Sequence, residues 1–281
     1  MTAIGSRVAY LVGSPECHVV PELAYQAPLD ESLAALRELG YDGVEIQVRD
    51  PADPRCADLG GRCRQAGLEV AALGTGPVGA QDELTLTALD DATRARALER
   101  LRRIVAMAGE IGCPVTLGRS RGSLTPGHED VQRGWFVAAV TELSEQAATG
   151  GQQLLLEPQC LGDLLRTTPE VVELLGDPAG WPPGLGIVLD SWHADQAGDD
   201  WTTAWRLAGS RIRYVQLAGP DRGPVVEGAE LASLLDVAAE HEYAGWLCAE
   251  HRQVGTSESA ARTSLWTLRA GARSEVTGPG R

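Results

Sequence analysis

The chain has 281 residues, 43% of them apolar, and a formal charge of −15. That is enough for one sizeable globular domain, and no apolar run approaches the ~20 residues of a membrane-spanning helix. The acidic balance argues against nucleic acid, and because all 24 basic residues are arginine, a lysine Schiff base, a lysine-anchored pyridoxal phosphate and a P-loop are excluded.

From the N-terminus onward, short apolar runs of strand length alternate with helix-like stretches. The runs are residues 7–13 (RVAYLVG), 43–48, 68–74, 114–118, 152–157, 185–190, 212–218 and 245–250, each bounded by Gly, Pro or polar residues. Between them, residues 30–40, 90–112, 134–150 and 230–242 repeat their apolar positions with a period of about 3.6. In the first of these Leu33, Leu36 and Leu39 mark one face, and Gly40 is placed to stop the helix.

This succession predicts an α/β fold, a single (β/α)8 TIM barrel over residues 1–272. A doubly wound open sheet is the rival, and the lack of a Gly-rich nucleotide turn counts against it. Residues 273–281 are polar and contain Gly and Pro, as in a flexible C-terminal tail. The six cysteines form no CxxC pair and read as reduced and mostly buried. No basic segment precedes a long apolar one near the N-terminus, so a cytoplasmic location is expected.

In such a barrel the chemistry sits at the C-terminal ends of the strands. The ends of strands five to eight carry Glu157, Asp190, Gln216 and Glu250. One carboxylate at a strand end is ordinarily a helix cap or an ion-pair partner. Several converging on one rim repel each other unless a cation lies between them, which makes this set candidate ligands of a divalent metal. Their donors are all oxygens, so Mg²⁺ or Mn²⁺ is favoured, with Co²⁺ or Zn²⁺ as alternatives.

The segments "ESLAALRELGYDGVEI", "LDSWHADQAGD", "YVQLAGPDRG" and "GWLCAEHRQVGTSE" resemble the sugar isomerase and epimerase family of xylose-isomerase-like TIM barrels. The resemblance runs nearly end to end and is nearest to hydroxypyruvate isomerase and 2-oxo-tetronate isomerase. It implies one metal held by Glu157, Asp190, Gln216 and Glu250, with Glu157 and Glu250 as the catalytic pair. Gln216 takes the third place, where the ketose epimerases carry His. It also implies substrate contacts from His193 and Arg222, and from Asp163 at the position of an acidic contact. Trp192 is a candidate pocket wall.

The implied reaction relocates a proton through an enediolate held on the metal, in a small hydroxy-ketone, ketose or 2-oxo acid. A dehydratase using the same enediolate is one alternative, and a non-catalytic binding or partner subunit is another. The implied partners are a small molecule and further copies of the chain in a homo-oligomer, with neither nucleic acid nor membrane. Glu157-Pro158-Gln159-Cys160 departs from the family's E-P-x-N, and Arg222-Gly223-Pro224 departs from the Glu-Pro expected there, so substrate identity stays open. Glu45 is expected to be buried and structural, Arg119 and Arg121 to be surface charges, and the tryptophans at 201, 205, 246 and 266 to pack in the core or between helices.

Overall fold

The computed structural model describes residues 7–271. The expected tail at 273–281 lies outside the described residues. Eight strands form one closed parallel barrel in sequence order: β1 (Arg7–Gly13), β2 (Gly43–Gln47), β3 (Glu69–Gly74), β4 (Val115–Leu117), β5 (Leu154–Leu156), β6 (Leu185–Asp190), β7 (Ile212–Leu217) and β8 (Trp246–Ala249). The helices are α1 (Leu29–Leu39), α2 (Leu59–Ala66), α3 (Gly76–Asp82), α4 (Asp91–Ile111), α5 (Glu129–Thr149), α6 (Thr168–Leu175), α7 (Ser191–Ala197), α8 (Trp201–Ala208), α9 (Ala229–Glu240) and α10 (Ser257–Gly271). None of them is long and apolar enough to cross a membrane.

The helix signals act as the sequence suggests. Gly40 closes α1 at φ 103°, its N–H donating back to Leu36 and Arg37, a left-handed stop that costs glycine nothing. In α4 the buried residues Ala97, Leu101, Ile104, Val105 and Ala108 form one stripe against the barrel. Helix α5 begins five residues before the periodic stretch at 134, because Glu129–Arg133, polar apart from the exposed Val131, continue the helix without an apolar face to announce it.

The strand interiors explain the site. On β7, Val215 and Leu217 pack outward while Tyr214 and Gln216 point inward; on β8 the inward row runs Trp246, Cys248 and then Glu250 just past the strand. Val188 and Asp190 on β6, and Leu155 and Glu157 at β5, repeat the pattern. Strand register sets Asp190 beside Gln216, and Gln216 beside Cys248. A side-chain period of two therefore carries an apolar barrel floor upward into a polar top layer.

At the bottom, the Trp246 ring closes the barrel and Arg7 lies 4.1 Å over it. A Cβ at Gly43 would run into that ring and the Glu69 carbonyl, so β2 begins on the one residue that admits the tryptophan. All six cysteines are free; four are buried and Cys17 and Cys160 are half-buried. Trp201, Trp205 and Trp246 pack in or against the core, but Trp266 is 66% exposed on α10. It sits on the outer side of a helix whose core contacts come from Ala261, Leu265 and Leu268.

Candidate metal and active site

Strands β5 to β8 deliver the four expected oxygen-bearing side chains to one buried rim: Glu157, Asp190, Gln216 and Glu250 are each at most 8% exposed. Glu157 and Glu250 lie one residue past their strands. Their N–H groups still donate to Leu117 and Leu217 of the neighbouring strands, at 3.1 and 3.0 Å, so the barrel ladder aims both carboxylates.

Asp190 has two roles. Its Oδ1 accepts the His193 N–H at 2.9 Å and caps α7. Its Oδ2 faces the Arg222 guanidinium at 3.6 Å. The ordinary capping role and the candidate ligand role thus use different oxygens of one carboxylate.

Three side-chain oxygens in this layer are buried with no hydrogen-bond partner among the described residues: Glu157 Oε1, Gln216 Oε1 and Glu250 Oε2. Orphaned buried oxygens are uncommon and call for an explanation. Burial, then the Asp190 charge, pushes the Glu157 carboxyl up to about 7. Burial, then the charges of Glu157 and Asp190, pushes Glu250 well above the usual carboxylate range. Convergent, desolvated carboxylates plus a free amide oxygen are what a hard divalent cation takes. The residues fit such a cation.

The structure also places His193 with two of the ligand candidates. Ligand atoms of Glu157, Asp190 and His193 all lie within 4.8 Å of one another. One ring nitrogen, Nε2, stands 3.5 Å from Glu157 Oε1, and the other, Nδ1, stands 3.1 Å from Cys160 Sγ. Burial pushes the imidazole down to about 4, so the ring is neutral at physiological pH.

Arg222 lies centrally, its Nη2 3.4 Å from Glu250 Oε1 and 3.5 Å from His193 Nε2. Its guanidinium stacks 4.4 Å over Trp192, which packs edge-on against His193. Two consecutive left-handed residues, Asp221 (φ 54°) and Arg222 (φ 57°), turn the chain into this position. Such conformations cost non-glycine residues about 1–3 kcal/mol each and persist where their surroundings enforce them. Here the Gly219 N–H donates to Gly223 O, and the Arg252 N–H donates to Arg222 O.

Asp163 does not join the group. It is exposed, and its carboxylate accepts the Leu124 N–H at 2.8 Å, tying two loops together outside the pocket. Its short side chain is taken up by that backbone bond.

Arg121 departs from the expected surface charge. It is 3% exposed and donates to the carbonyls of Leu164, Gly118, Gln159 and Leu161, and to Gln159 Oε1 at 2.6 Å. The Gln159 amide lies beside the Glu157 carboxylate, both close against Gly118, so Arg121 fixes a neighbour of a candidate ligand. The only signal for Gln159 in the sequence is its spacing, two residues beyond Glu157. Arg119 is exposed, as expected, but lies on the pocket wall.

Above this layer is a pocket of about 380 Å³ lined by Glu157, His193, Gln216, Arg222 and Glu250 below and by Arg119, Trp192 and Arg252 nearer the opening. The size and the few convergent polar groups suit a small polar ligand. The family model described as xylose isomerase-like TIM barrel matches residues 33–270. The chain belongs to that family.

Members of the xylose isomerase-like family resemble the chain over almost its whole length. An L-ribulose 3-epimerase from Mesorhizobium japonicum is 27% identical, the match covering 86% of this chain and 82% of that protein. A solved L-ribulose 3-epimerase superposes with a TM-score of 0.77 at 22% identity, covering 95% and 94% of the two chains. A D-allulose 3-epimerase from Methylomonas sp. gives 0.76 at 19% identity, covering 96% and 100%. The solved structures speak for the shared barrel.

Proposed function

We propose that the chain is a divalent-metal-dependent isomerase or epimerase that relocates a proton on a small hydroxy-ketone of the ketose kind. The observation that carries the reading is the pair Glu157 and Glu250, buried at the same pocket floor, each with an unpartnered oxygen and a raised pKa. Proton relocation needs one group to take a proton and another to return one, and burial holds both carboxyls above their ordinary range. The names of the related L-ribulose and D-allulose 3-epimerases support the same class of reaction.

A cation held by Glu157, Asp190, Gln216 and Glu250 would supply Lewis acidity toward a carbonyl and a neighbouring hydroxyl. One glutamate takes the proton from the carbon next to the carbonyl and the other returns one. His193, neutral and turned toward Glu157, offers a ring nitrogen to a substrate hydroxyl. Arg222, stacked on Trp192, holds a substrate oxygen with a fixed guanidinium plane.

Gln216 in the third ligand place, with Arg119, Arg222 and Arg252 on the pocket wall, favours a second reading within the same chemistry: a short 2-oxo acid of the hydroxypyruvate kind, its carboxylate met by arginine. The test is exchange of substrate C–H for deuterium in heavy water, followed by NMR. L-ribulose, D-allulose, D-fructose and hydroxypyruvate would be compared with Mn²⁺ present. Exchange into at least one of them, lost by about 10²-fold or more in Glu250→Gln, is the expected result. No exchange into any, with Mn²⁺ bound, would overturn the reading and favour a binding subunit.

A further inference from the structure

Glu45 lies across the barrel from the metal-site strands, on β2, fully buried inside the ring of strands. The Gln216 amide Nε2 donates to both of its oxygens, at 3.0 and 3.2 Å. Thr116 Oγ1 on β4 and Gln47 Nε2 on β2 each donate to Glu45 Oε1 at 3.2 Å. Glu45 therefore accepts from three neighbouring side chains, and none of them is an arginine.

The consequence falls on Gln216. A glutamine amide has one acceptor end and one donor end of nearly equal shape. A free Gln216 could turn either end to the pocket. A carboxylate accepts and does not donate, so Glu45 can satisfy only the NH2 end. That leaves Gln216 Oε1 pointing toward the layer of Glu157 and Glu250, buried and without a partner. The alternative orientation would set the amide oxygen against the Glu45 carboxylate and lose both hydrogen bonds.

We propose that Glu45 is a positioning residue that locks the Gln216 amide with its oxygen toward the cation. The proposal rests on the reading of Gln216 as a metal ligand. It assigns Glu45 no contact with the metal or the substrate; it acts through Gln216, with Thr116 and Gln47 holding its carboxylate in place. A glutamine ligand without this carboxylate has nothing that holds its oxygen end toward the cation, and the NH2 end repels a cation.

The experiment is Mn²⁺ affinity, read from the free-ion EPR signal, with folding checked by circular dichroism. Wild type, Glu45→Gln, Gln216→Met and the double variant would be compared in a double-mutant cycle. Wild type is expected to bind about one ion. Glu45→Gln, nearly identical in volume, is expected to bind about ten- to a hundredfold more weakly, the usual effect of losing a ligand's outer partner. In the Gln216→Met background the same change is expected to cost nothing further, because the group that Glu45 orients is gone.

An equal loss in both backgrounds would overturn the proposal and assign the effect to the Glu45 charge acting through space. No loss in Glu45→Gln, or wild-type affinity in Gln216→Met, would also overturn it. A wild type that binds no Mn²⁺ would instead sink the metal-site reading itself. Should Glu45→Gln fail to fold, Thr116→Val loosens Glu45 while keeping its charge. A severalfold loss of affinity is then expected, and unchanged affinity counts against the proposal.

Discussion

Arg222 Nη2 stands 3.4 Å from Glu250 Oε1 and 3.6 Å from Asp190 Oδ2. Both carboxylates thus share their buried layer with a fixed positive charge as well as with each other. A cation entering the site gains the carboxylates but meets this guanidinium.

Arg222→Met is therefore expected to separate binding from turnover. At about pH 8.5, above the Glu157 titration, Mn²⁺ should bind about tenfold or more tightly once the neighbouring charge is gone. Turnover should fall by about 10²-fold or more, because the substrate loses its guanidinium contact. Mn²⁺ titration and steady-state kinetics on one preparation check the pair. Unchanged affinity would mean that the guanidinium swings clear of the site when metal enters.

Metal binding should release protons. Glu157 is pushed up to about 7 and Glu250 also upward, so the metal-free centre holds protons that a cation must displace. Apparent Mn²⁺ affinity is expected to rise with pH through about 7, where Glu157 gives up its proton. The sign for stability runs the other way: a carboxyl raised in the fold favours folding while protonated. Its contribution is complete below the ordinary carboxyl pKa near 4.5 and is lost as pH rises through about 7. Metal-free Tm should carry this loss, and added Mn²⁺ should reverse it. Calorimetric titration in buffers of differing ionisation heat counts the protons.

Gly118, just after β4, is a position where a single methyl group should disturb the candidate site. A Cβ there would collide with the Glu157 carboxylate and the Gln159 amide, both of them buried. Gly118→Ala is expected to lower Mn²⁺ affinity by about tenfold or more by displacing a ligand. It should also lower stability by about 1–3 kcal/mol, as overpacking of a filled interior does. Denaturant melts and Mn²⁺ titration read the two effects separately.

The barrel and the four residues at its strand ends were legible because each is written locally. Alternating short apolar runs and 3.6-period stretches specify strands and helices, and the period of two along a strand assigns Glu157 to the face of Leu155 and Glu250 to that of Cys248. What a side chain meets on that face depends on which strands close against each other. Glu45 and Gln216 are 171 positions apart and touch only because closure and strand tilt bring β2 across from β7. The same holds for Arg121, whose charge reads as surface in the sequence and three of whose four carbonyl partners come from the loop after β5. Asp163 is the reverse case, a residue of the right chemistry whose loop turns it outward onto Leu124. Local pattern determined which face each residue occupies; long-range closure, driven by burial of the whole sheet, decided its partners.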